Sequence, residues 1–399
     1  MRLAILSIHS SPLGRAGSKD TGGMSTYLRG LSSAMGQRGH QVDLYTRRPN
    51  SGEDRVEQVE ANVRLINPGD GLAEVDKTHL YPYCSKVAES IERFSCLEKL
   101  DYDFIFSHYW LSGVTGHLLQ KRWNKPHLIM FHTLGRAKNE LCPGENEPQQ
   151  RLESEARLAR DCDLVIVASE SEKKRVLNYF NISLKKMALI PCGIDRNLFK
   201  PLNNKDSQAL KLYKGVKGPG KTLLAVGRIE PVKGFDLLIE AISRLPSEDN
   251  FKVVVVGGEG SDRSLLAALK DRAYNLGVSE QLFFTGVVDH SSLPSYYSAA
   301  DLTIIPSYYE SFGLVALESI ACGTPVVAAP VGGIPELVSQ NSAFGRLIKG
   351  RNPLAWAAAI RKTYTTNRPT IPAPALEAGL APYSWPAAAK KLEQVLNSL

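Results

Sequence analysis

The sequence has 399 residues, of which 43% are hydrophobic and 22% charged, with 32 Gly and 23 Pro. This composition is that of a globular protein, so it excludes disordered, collagen-like and coiled-coil chains, and the length favours two domains over one. The formal net charge of +7 is modest and is spread over both halves, which suits small anionic ligands and argues against nucleic-acid binding.

Membrane and metal-binding classes also find little support. No apolar run reaches the roughly 18–20 residues that a membrane span needs, and the apolar N-terminal run meets His9 too early for a signal peptide. We therefore expect a cytoplasmic protein without an integral membrane segment. The six cysteines are scattered without a Cys-x-x-Cys pair, which predicts reduced thiols and no zinc site.

The first half begins with a β-loop-α-β unit. A strand is predicted over residues 3–8, followed by a loop to Gly22 and Gly23, a helix that Gly39 ends, and a strand over 42–45. Further strands are predicted over 104–106, 128–131 and 164–167.

The second half follows the same rhythm. A strand over 222–226 leads through a loop with Arg228 and Lys233 into a helix that carries Leu237 and Ile242. Further strands are predicted over 253–256, 282–285, 302–305 and 325–328. Short continuous apolar runs separated by helix-length segments indicate parallel strands that are buried on both faces.

These patterns predict an α/β protein with two Rossmann-like domains that face each other across a cleft. We place the first domain at 1–195, a polar linker at 196–221 and the second domain at 222–382. A last amphipathic helix, at about 383–399, is expected to cross back onto the first domain. Open parallel sheets bind ligands at the carboxyl ends of their strands, so the active site is expected in the cleft.

The strongest cluster of candidate functional residues follows the strand at 302–305. Gly313 begins a helix there, and the backbone N–H groups of Phe312, Gly313 and Leu314 would be donors for an anion. Glu310 and Glu318 would lie roughly 10–12 Å apart, a span that fits two hydroxyl-rich rings joined by a diphosphate. The alternative is a solvated Glu318 and a Glu310 that only complements the helix dipole.

Two further loops could bind phosphate. Arg228 and Lys233 can neutralise a diphosphate leaving group without a metal, although an exposed basic loop is the plainer interpretation. Gly22 and Gly23 would let a phosphate approach the start of the first helix, with an ordinary turn as the alternative. The Gly22-Gly23 pair lacks the Gly-x-Gly-x-x-Gly spacing, and no Gly-Lys-Ser/Thr follows it, so a dinucleotide site and a P-loop are unsupported there. The serine-hydrolase motif Gly-x-Ser-x-Gly and the zinc-protease motif His-Glu-x-x-His do not occur in the sequence.

Polar residues also end two strands of the first half. His108 and Tyr109 follow one strand, and His132 and Thr133 follow the next. Hydrogen-bonded structural histidines are the commoner explanation for such positions. Asp-x-Asp pairs at 101–103 and 161–163 precede their strands, so we interpret them as structural.

The combined motifs resemble the retaining nucleotide-sugar glycosyltransferases of family 4, which have the GT-B fold. Within that family they are most similar to the group that transfers N-acetylglucosamine to inositol phosphate in mycothiol synthesis, with sucrose-phosphate synthases more distant. The likeness covers nearly the whole chain. The matching segments are 9–12, 20–24, 107–113, 132–134 with 138–139, 311–315 and 321–325, together with Glu310-x7-Glu318, Arg228 and Lys233.

The resemblance implies a UDP-sugar donor and assigns roles to individual residues. Arg228 and Lys233 would hold the diphosphate, Glu318 the ribose, and Glu310 with the backbone of 312–314 the donor sugar. Gly22 and Gly23 would face the diphosphate from the first domain. Val288 would offer its backbone to uracil, and His132 would lie beside the reacting sugar. The residues given a catalytic role are His132, Arg228, Lys233 and Glu310.

The resemblance also implies a phosphorylated acceptor. Lys77, Tyr109, Thr133 and Arg151 match the positions that surround the acceptor phosphate, and such groups are good phosphate partners. His9, Asp20 and Ser25 complete the expected acceptor site. Relatives that act on inositol phosphate carry asparagine where this chain has Ser25, so inositol itself is left open.

We therefore predict a retaining hexosyltransferase that moves sugar from UDP-N-acetylglucosamine or UDP-glucose to an inositol phosphate or a sugar phosphate. Front-face attack, with the departing phosphate accepting the proton, is favoured over a covalent carboxylate intermediate. The alternatives are a lipid-linked or polysaccharide acceptor and a non-catalytic sugar-nucleotide-binding protein. No cofactor is required, and a peripheral magnesium site near 297–300 and Thr324 has little side-chain support. The oligomeric state is open, with a homodimer as one candidate.

Overall fold

A computed structural model of the protein describes residues 1–14, 22–47, 55–69, 71–72, 75–202, 221–258, 263–364 and 370–399. Most of the predicted linker, residues 203–220, lies outside these ranges, and so does Asp20.

The first half of the chain forms an eight-stranded sheet. Its strands are β1 (Arg2–Leu6), β2 (Gln41–Tyr45), β3 (Val56–Glu60), β4 (Val63–Ile66), β5 (Phe104–His108), β6 (His127–Met130), β7 (Leu164–Val167) and β8 (Met187–Leu189). Their order is β3-β4-β2-β1-β5-β6-β7-β8, and β3 is the antiparallel strand at one edge. The central strands are almost fully buried, as expected of parallel strands covered on both faces.

The second half forms a six-stranded parallel sheet. Its strands are β9 (Lys221–Val226), β10 (Phe251–Val256), β11 (Leu282–Gly286), β12 (Leu302–Ile305), β13 (Val326–Ala328) and β14 (Gly345–Leu347). Their order is β11-β10-β9-β12-β13-β14. The predicted fold class, two Rossmann-like domains built on parallel sheets, is confirmed.

Helices connect the strands in both halves. Those of the first half are α1 (Gly23–Gln37), α2 (Cys84–Leu97), α3 (Trp110–Trp123), α4 (Gly135–Leu141), α5 (Gln149–Asp161) and α6 (Glu170–Phe180). The second half continues with α7 (Phe235–Ile242), α8 (Arg263–Asn275), α9 (Leu293–Ala299), α10 (Leu314–Ala321), α11 (Ile334–Val338), α12 (Pro353–Thr363), α13 (Ala373–Leu380) and α14 (Trp385–Leu396).

The last helix, α14, returns to the first half of the chain and packs against α1. The ring of Trp385 lies over Gly30, and Glu393 accepts hydrogen bonds from Arg38 and from His40, whose Nε2 is 3.0 Å from Oε1. One buried apolar cluster includes Leu3 of β1, Leu224 of β9 and Leu392 of α14. The two sheets therefore share part of their core.

Candidate active site

A cavity of about 570 Å³ lies between the two halves and is lined by residues of both. Sixteen predicted site residues line it: His9, Gly22, Gly23, Lys77, Tyr109, His132, Thr133, Arg151, Arg228, Lys233, Val288, Glu310, Phe312, Gly313, Leu314 and Glu318. The carboxyl ends of the parallel strands supply most of these positions, which is where ligands bind in such folds.

Lys233 and Glu310 form the centre of the second half's contribution. The Nζ atom of Lys233 is 2.8 Å from Oε1 of Glu310, and the Ser307 hydroxyl donates to the same oxygen at 2.8 Å. The backbone N–H of Tyr308 donates to the carbonyl of Val232. These bonds join the loop after β12 to the loop after β9, so the predicted cation and carboxylate are held together.

Arg228 lies on the loop after β9 and pairs with Glu230, with 2.9 Å between Nη1 and Oε1. Its side chain and that of Lys233 both line the cavity. Each cation is paired with a carboxylate that lines the same cavity, and both still carry N–H groups that can donate charge-assisted hydrogen bonds to an anionic ligand.

The start of α10 faces the same wall. Gly313 precedes the helix with φ of +99°, and a Cβ there would overlap Ile334. This backbone conformation and the close approach of Ile334 both require glycine. The first N–H groups of α10 have no acceptor within the helix, so they are donors available to an anion or a polarised hydroxyl.

Glu318 is held in one orientation by two partners. The Tyr297 hydroxyl donates to Oε2 at 2.8 Å, and Nε2 of His290 lies 3.2 Å from Oε1. Glu318 lines the cavity although only 6% of its surface is exposed. Hydrogen bonds of this kind offset the cost of burying a carboxylate.

Arg151 organises the first half's contribution. Its guanidinium donates to Tyr109 Oη at 3.1 Å, to Thr133 Oγ1 at 3.0 Å and to Glu155 Oε1 at 2.7 Å. It also pairs with Glu147 at 2.9 Å. Burial opposes the charge of Arg151, but Tyr109, Glu155 and Glu147 outweigh burial and raise the pKa of the guanidinium. Arg151 therefore stays cationic inside the protein.

Lys138 adds a second cation to the charged cluster around Arg151 and had no predicted role. It lines the cavity and pairs with Glu145 at 2.9 Å and with Glu147. The ring of His9, which also lines the cavity, packs on Tyr109 at a centroid distance of 4.2 Å. Burial and the nearby Lys77 lower the pKa of His9. The positive charges that the first half brings to the cavity are therefore on lysine and arginine and not on this histidine.

His132 also lines the cavity, with φ of +59°. Its Nε2 lies 2.7 Å from Nδ1 of the fully buried His108. Burial lowers the pKa of His132 to about 3, so its ring is neutral. His108, like Tyr297 and His290, is a partner of a predicted site residue that the sequence analysis left without a role in the site.

Ser25 does not line the cavity. It is buried in the first turn of α1, where its hydroxyl donates to the Ser11 carbonyl at 3.2 Å and lies 3.3 Å from Ser10 Oγ. The other predicted acceptor residue on this segment, Asp20, is outside the described residues.

The two halves contact each other around the cavity. The Ser169 hydroxyl donates to the Ser311 carbonyl at 3.0 Å, and the backbone N–H of Leu134 donates to Tyr309 Oη at 3.2 Å. A Cβ on Gly23 would lie 3.3 Å from Leu314 Cδ1. The start of α1 thus faces the start of α10 across the cavity, in an arrangement that restricts access of water.

Within the described ranges, no three His, Cys, Asp or Glu residues group as a metal site. In the same part of the chain, the helices lack the length and apolar character needed to cross a membrane.

Comparison with known proteins gives matches to both halves. The family described as Glycosyltransferase Family 4 matches residues 21–198, and the one described as Glycosyl transferases group 1 matches residues 208–370. The D-inositol 3-phosphate glycosyltransferase of Corynebacterium glutamicum is 33% identical over 407 residues, which cover 100% of this chain and 96% of that protein.

Solved structures share the whole fold. Sucrose-phosphate synthase from Thermosynechococcus elongatus superposes with a TM-score of 0.89 at 29% identity, covering 100% of this chain and 98% of that one. Anabaena HepE, solved in complex with UDP and glucose, superposes with a TM-score of 0.77 at 21% identity and covers each chain completely. At that identity the second likeness concerns the fold alone.

Proposed function

The chain belongs to glycosyltransferase family 4, and from that premise we propose that it transfers a hexosyl group from a UDP-sugar to a small phosphorylated acceptor. The acceptor is an inositol phosphate or a sugar phosphate, and the configuration of the anomeric carbon is retained.

One observation carries the proposal. Two sets of groups suited to binding phosphate line a single cavity, each on its own half of the chain. Arg228, Lys233 and the start of α10 form one set; Arg151, Tyr109 and Thr133 form the other. An enzyme that joins a nucleotide-sugar to a phosphorylated acceptor needs two anion sites separated by the reacting sugar.

The second half supplies the donor site in this proposal. Arg228 and Lys233 bind the diphosphate, and the positive end of α10 adds to the electrostatic stabilisation of the leaving group. Glu318, fixed by Tyr297 and His290, accepts hydrogen bonds from the ribose hydroxyls. Glu310, which is fixed by Lys233 and Ser307, accepts hydrogen bonds from the hydroxyls of the donor sugar.

The reaction proceeds by front-face attack. The acceptor oxygen forms a bond to the anomeric carbon as the bond from that carbon to the diphosphate oxygen breaks, and the acceptor proton passes to the departing diphosphate, which leaves as UDP. Both cations stabilise the charge that grows on the leaving group. The close contact of the two halves limits hydrolysis by water.

The first half binds the acceptor phosphate. Arg151 is held by four side chains, and its pairing with Tyr109 and Thr133 gives a rigid arrangement suited to a phosphate. The Corynebacterium relative is named for inositol 3-phosphate, which supports inositol phosphate as the first acceptor to test. Ser25 makes its hydrogen bonds to the loop at Ser10 and Ser11, so it offers no contact by which to choose between inositol and another ring.

An assay of UDP release identifies both substrates. UDP-N-acetylglucosamine and UDP-glucose are each combined with inositol phosphate, unphosphorylated inositol and hexose phosphates, and product NMR reports the anomeric configuration. We expect transfer to a phosphorylated acceptor only, with retention. Transfer to unphosphorylated inositol at an equal rate, or to lipid-linked sugar in vesicles alone, would contradict the acceptor assignment; no UDP release with any acceptor would favour a binding protein.

Substitution of the two cations tests the donor site. We expect Arg228→Ala and Lys233→Ala each to lower kcat roughly 10²- to 10³-fold, because each removes a charge that stabilises the leaving group. Arg244→Ala, which removes an exposed cation just after α7, is the matched control and should keep full activity. Normal turnover in both site variants would refute the diphosphate assignment.

A further inference from the structure

Two histidines on neighbouring strands form a hydrogen-bonded pair beneath the cavity. Strands β5 and β6 pair in parallel, with His108 opposite Met130, and His132 follows two residues later. The two rings lie 5.0 Å apart at an angle of 29°, and Nδ1 of His108 is 2.7 Å from Nε2 of His132. His132 lines the cavity, whereas His108 is fully buried.

Both rings are neutral. Burial lowers the pKa of His132 to about 3, and burial together with His132 lowers the pKa of His108 well below its usual value. A neutral imidazole has one N–H and one bare nitrogen. One histidine must therefore donate to the other, and the choice of donor fixes where both remaining protons lie.

The surroundings of His108 decide between the two arrangements. Among the described residues, its Nε2 is buried without a hydrogen-bond partner, and besides His132 its ring packs against those of Phe106 and Tyr27, at centroid distances of 4.2 and 5.8 Å. If His132 were the donor, His108 would keep its proton on Nε2 and leave an N–H buried and unpaired. Unpaired buried N–H groups are rarer in proteins than unpaired acceptors, so His108 donates from Nδ1.

We propose that His108 is a positioning residue that holds His132 in the tautomer with its proton on Nδ1. Because Nε2 of His132 accepts from His108, its remaining polar atom presents an N–H to the cavity. His132 then donates a hydrogen bond to a sugar or phosphate oxygen, and it has no free nitrogen with which to remove the acceptor proton. The ligand part of this inference rests on the proposed function, whereas the tautomer does not.

The positive φ of His132 fits this role. A residue other than glycine in this conformation is strained by about 1–3 kcal/mol, and such residues concentrate at functional sites. The ring contacts His108 and lines the cavity at the same time, so that a fixed donor rather than a mobile side chain meets the ligand.

Nitrogen-15 NMR of the histidine-labelled full-length protein tests the tautomer directly. We expect Nδ1 to carry the proton in both His108 and His132. His127 is an internal reference, because its Nε2 lies 2.8 Å from Ser107 Oγ and its Nδ1 has no partner among the described residues. Since a buried N–H needs a partner, we expect the proton of His127 on Nε2, which is the opposite tautomer. A proton on Nε2 of His132 would overturn the proposal.

Two variants test the positioning role. The amide of His108→Asn can still donate from the position of Nδ1, so we expect the His132 tautomer and kcat to stay near wild type. His108→Leu removes the donor; we expect mixed tautomers of His132 and a decrease in kcat of about tenfold, with the KM of the acceptor unchanged. If kcat falls equally in both variants while the tautomer persists in each, His108 has only a packing role.

The two proposals fail separately. An Nδ1-protonated His132 in a protein that transfers no sugar from any UDP-sugar would leave the tautomer assignment intact and refute the proposed function. Transfer activity with a proton on Nε2 of His132 would do the reverse.

Discussion

Glu318 illustrates how the orientation of one side chain in the cavity depends on the residues that hold it. Its carboxylate is buried and bonded to Tyr297 and His290. Tyr297 is fully buried, and burial together with Glu318 raises the pKa of its hydroxyl. The hydroxyl therefore remains protonated and donates to Glu318 at any pH of interest.

Tyr297→Phe removes that donor without changing the shape of the side chain. We expect the KM for the UDP-sugar to rise about 5- to 30-fold. The lost hydrogen bond orients the buried carboxylate of Glu318, and its loss should weaken binding of the ribose by about 1–2 kcal/mol. The kcat should change little, since the bond lies far from the reacting carbon. Initial-rate kinetics over a range of donor concentrations measure both constants.

Tyr274→Phe is the control for this prediction, because Tyr274 lies in the same half of the chain and is 78% exposed. It should leave both constants unchanged. A Tyr297→Phe enzyme with the wild-type KM would show that Glu318 does not bind the donor through this orientation.

The sequence identified the acidic residues of the site but not their partners. Glu310 and Glu318 could be found because one helix start fixes their spacing. Tyr297 and His290 lie 21 and 28 residues away from Glu318, and only the packing of α9 against α10 brings them close. Local spacing carries no information about such contacts. The pairing of Lys233 with Glu310 across 77 residues could be anticipated only because both loops follow strands of one sheet.

Elements were predictable where they are buried on both faces. The apolar runs at 104–106, 128–131 and 164–167 correspond to β5, β6 and β7. Strands β3, β4, β8 and β14 were not predicted. Three of them, β3, β8 and β14, lie at the edge of a sheet and contain no fully buried residue, and β4, next to β3, has only its two end residues buried. An edge strand is held extended by hydrogen bonds to its one neighbouring strand, so its own residues need no continuous apolar pattern.

The contact between α1 and α14 provides a prediction at the level of elements. A Cβ at Gly30 would overlap the indole ring of Trp385. We expect Gly30→Ala to lower the free energy of unfolding by about 1–3 kcal/mol through overpacking, as measured by urea denaturation. Without this contact, alanine in a helix interior would instead be roughly 0.5–1 kcal/mol more stable than glycine.

In a protein that already carries Trp385→Ala, the expected effect of Gly30→Ala on the free energy of unfolding changes sign. Adding Gly30→Ala to that variant should stabilise the protein, because the propensity term then acts alone. Arg29→Ala, at the neighbouring exposed position of α1, should change stability by less than about 0.5 kcal/mol. If Gly30→Ala stabilised the wild-type protein, α14 would not rest on α1 in solution.

At the scale of the whole molecule, the contact between the two halves could be expected only in outline. Two parallel sheets with ligand-binding loops suggested a cleft, but no sequence pattern indicated that Glu336 accepts the backbone N–H of Glu170 at the start of α6. Such contacts join residues more than 140 positions apart. They depend on the relative placement of two finished domains, which is decided by surface complementarity rather than by local propensity.

Buried histidines make the stability of the folded chain depend on pH. Burial lowers the pKa of His127 and His132 to about 3 and lowers that of His9 and His108 as well. An unfolded histidine has a pKa near 6.5. Between about pH 6.5 and pH 3 the unfolded chain therefore binds protons that the folded chain does not, so stability falls as the pH falls, by up to about 1.4 kcal/mol per pH unit for each histidine.

His127→Gln isolates one of these contributions. His127 lies at the start of β6, away from the cavity, and glutamine can keep the hydrogen bond to Ser107. Between pH 6 and pH 4.5 we expect the variant to lose about 1.4 kcal/mol less stability per pH unit than the wild type, as measured by urea unfolding at each pH.

Glu172, whose pKa burial raises to about 7, acts in the opposite direction, but it is present in both proteins and cancels in the difference. Above pH 7.5 neither state protonates a histidine, so the two stability curves should run parallel there. Parallel curves throughout the acidic range would mean that His127 can be protonated inside the folded protein.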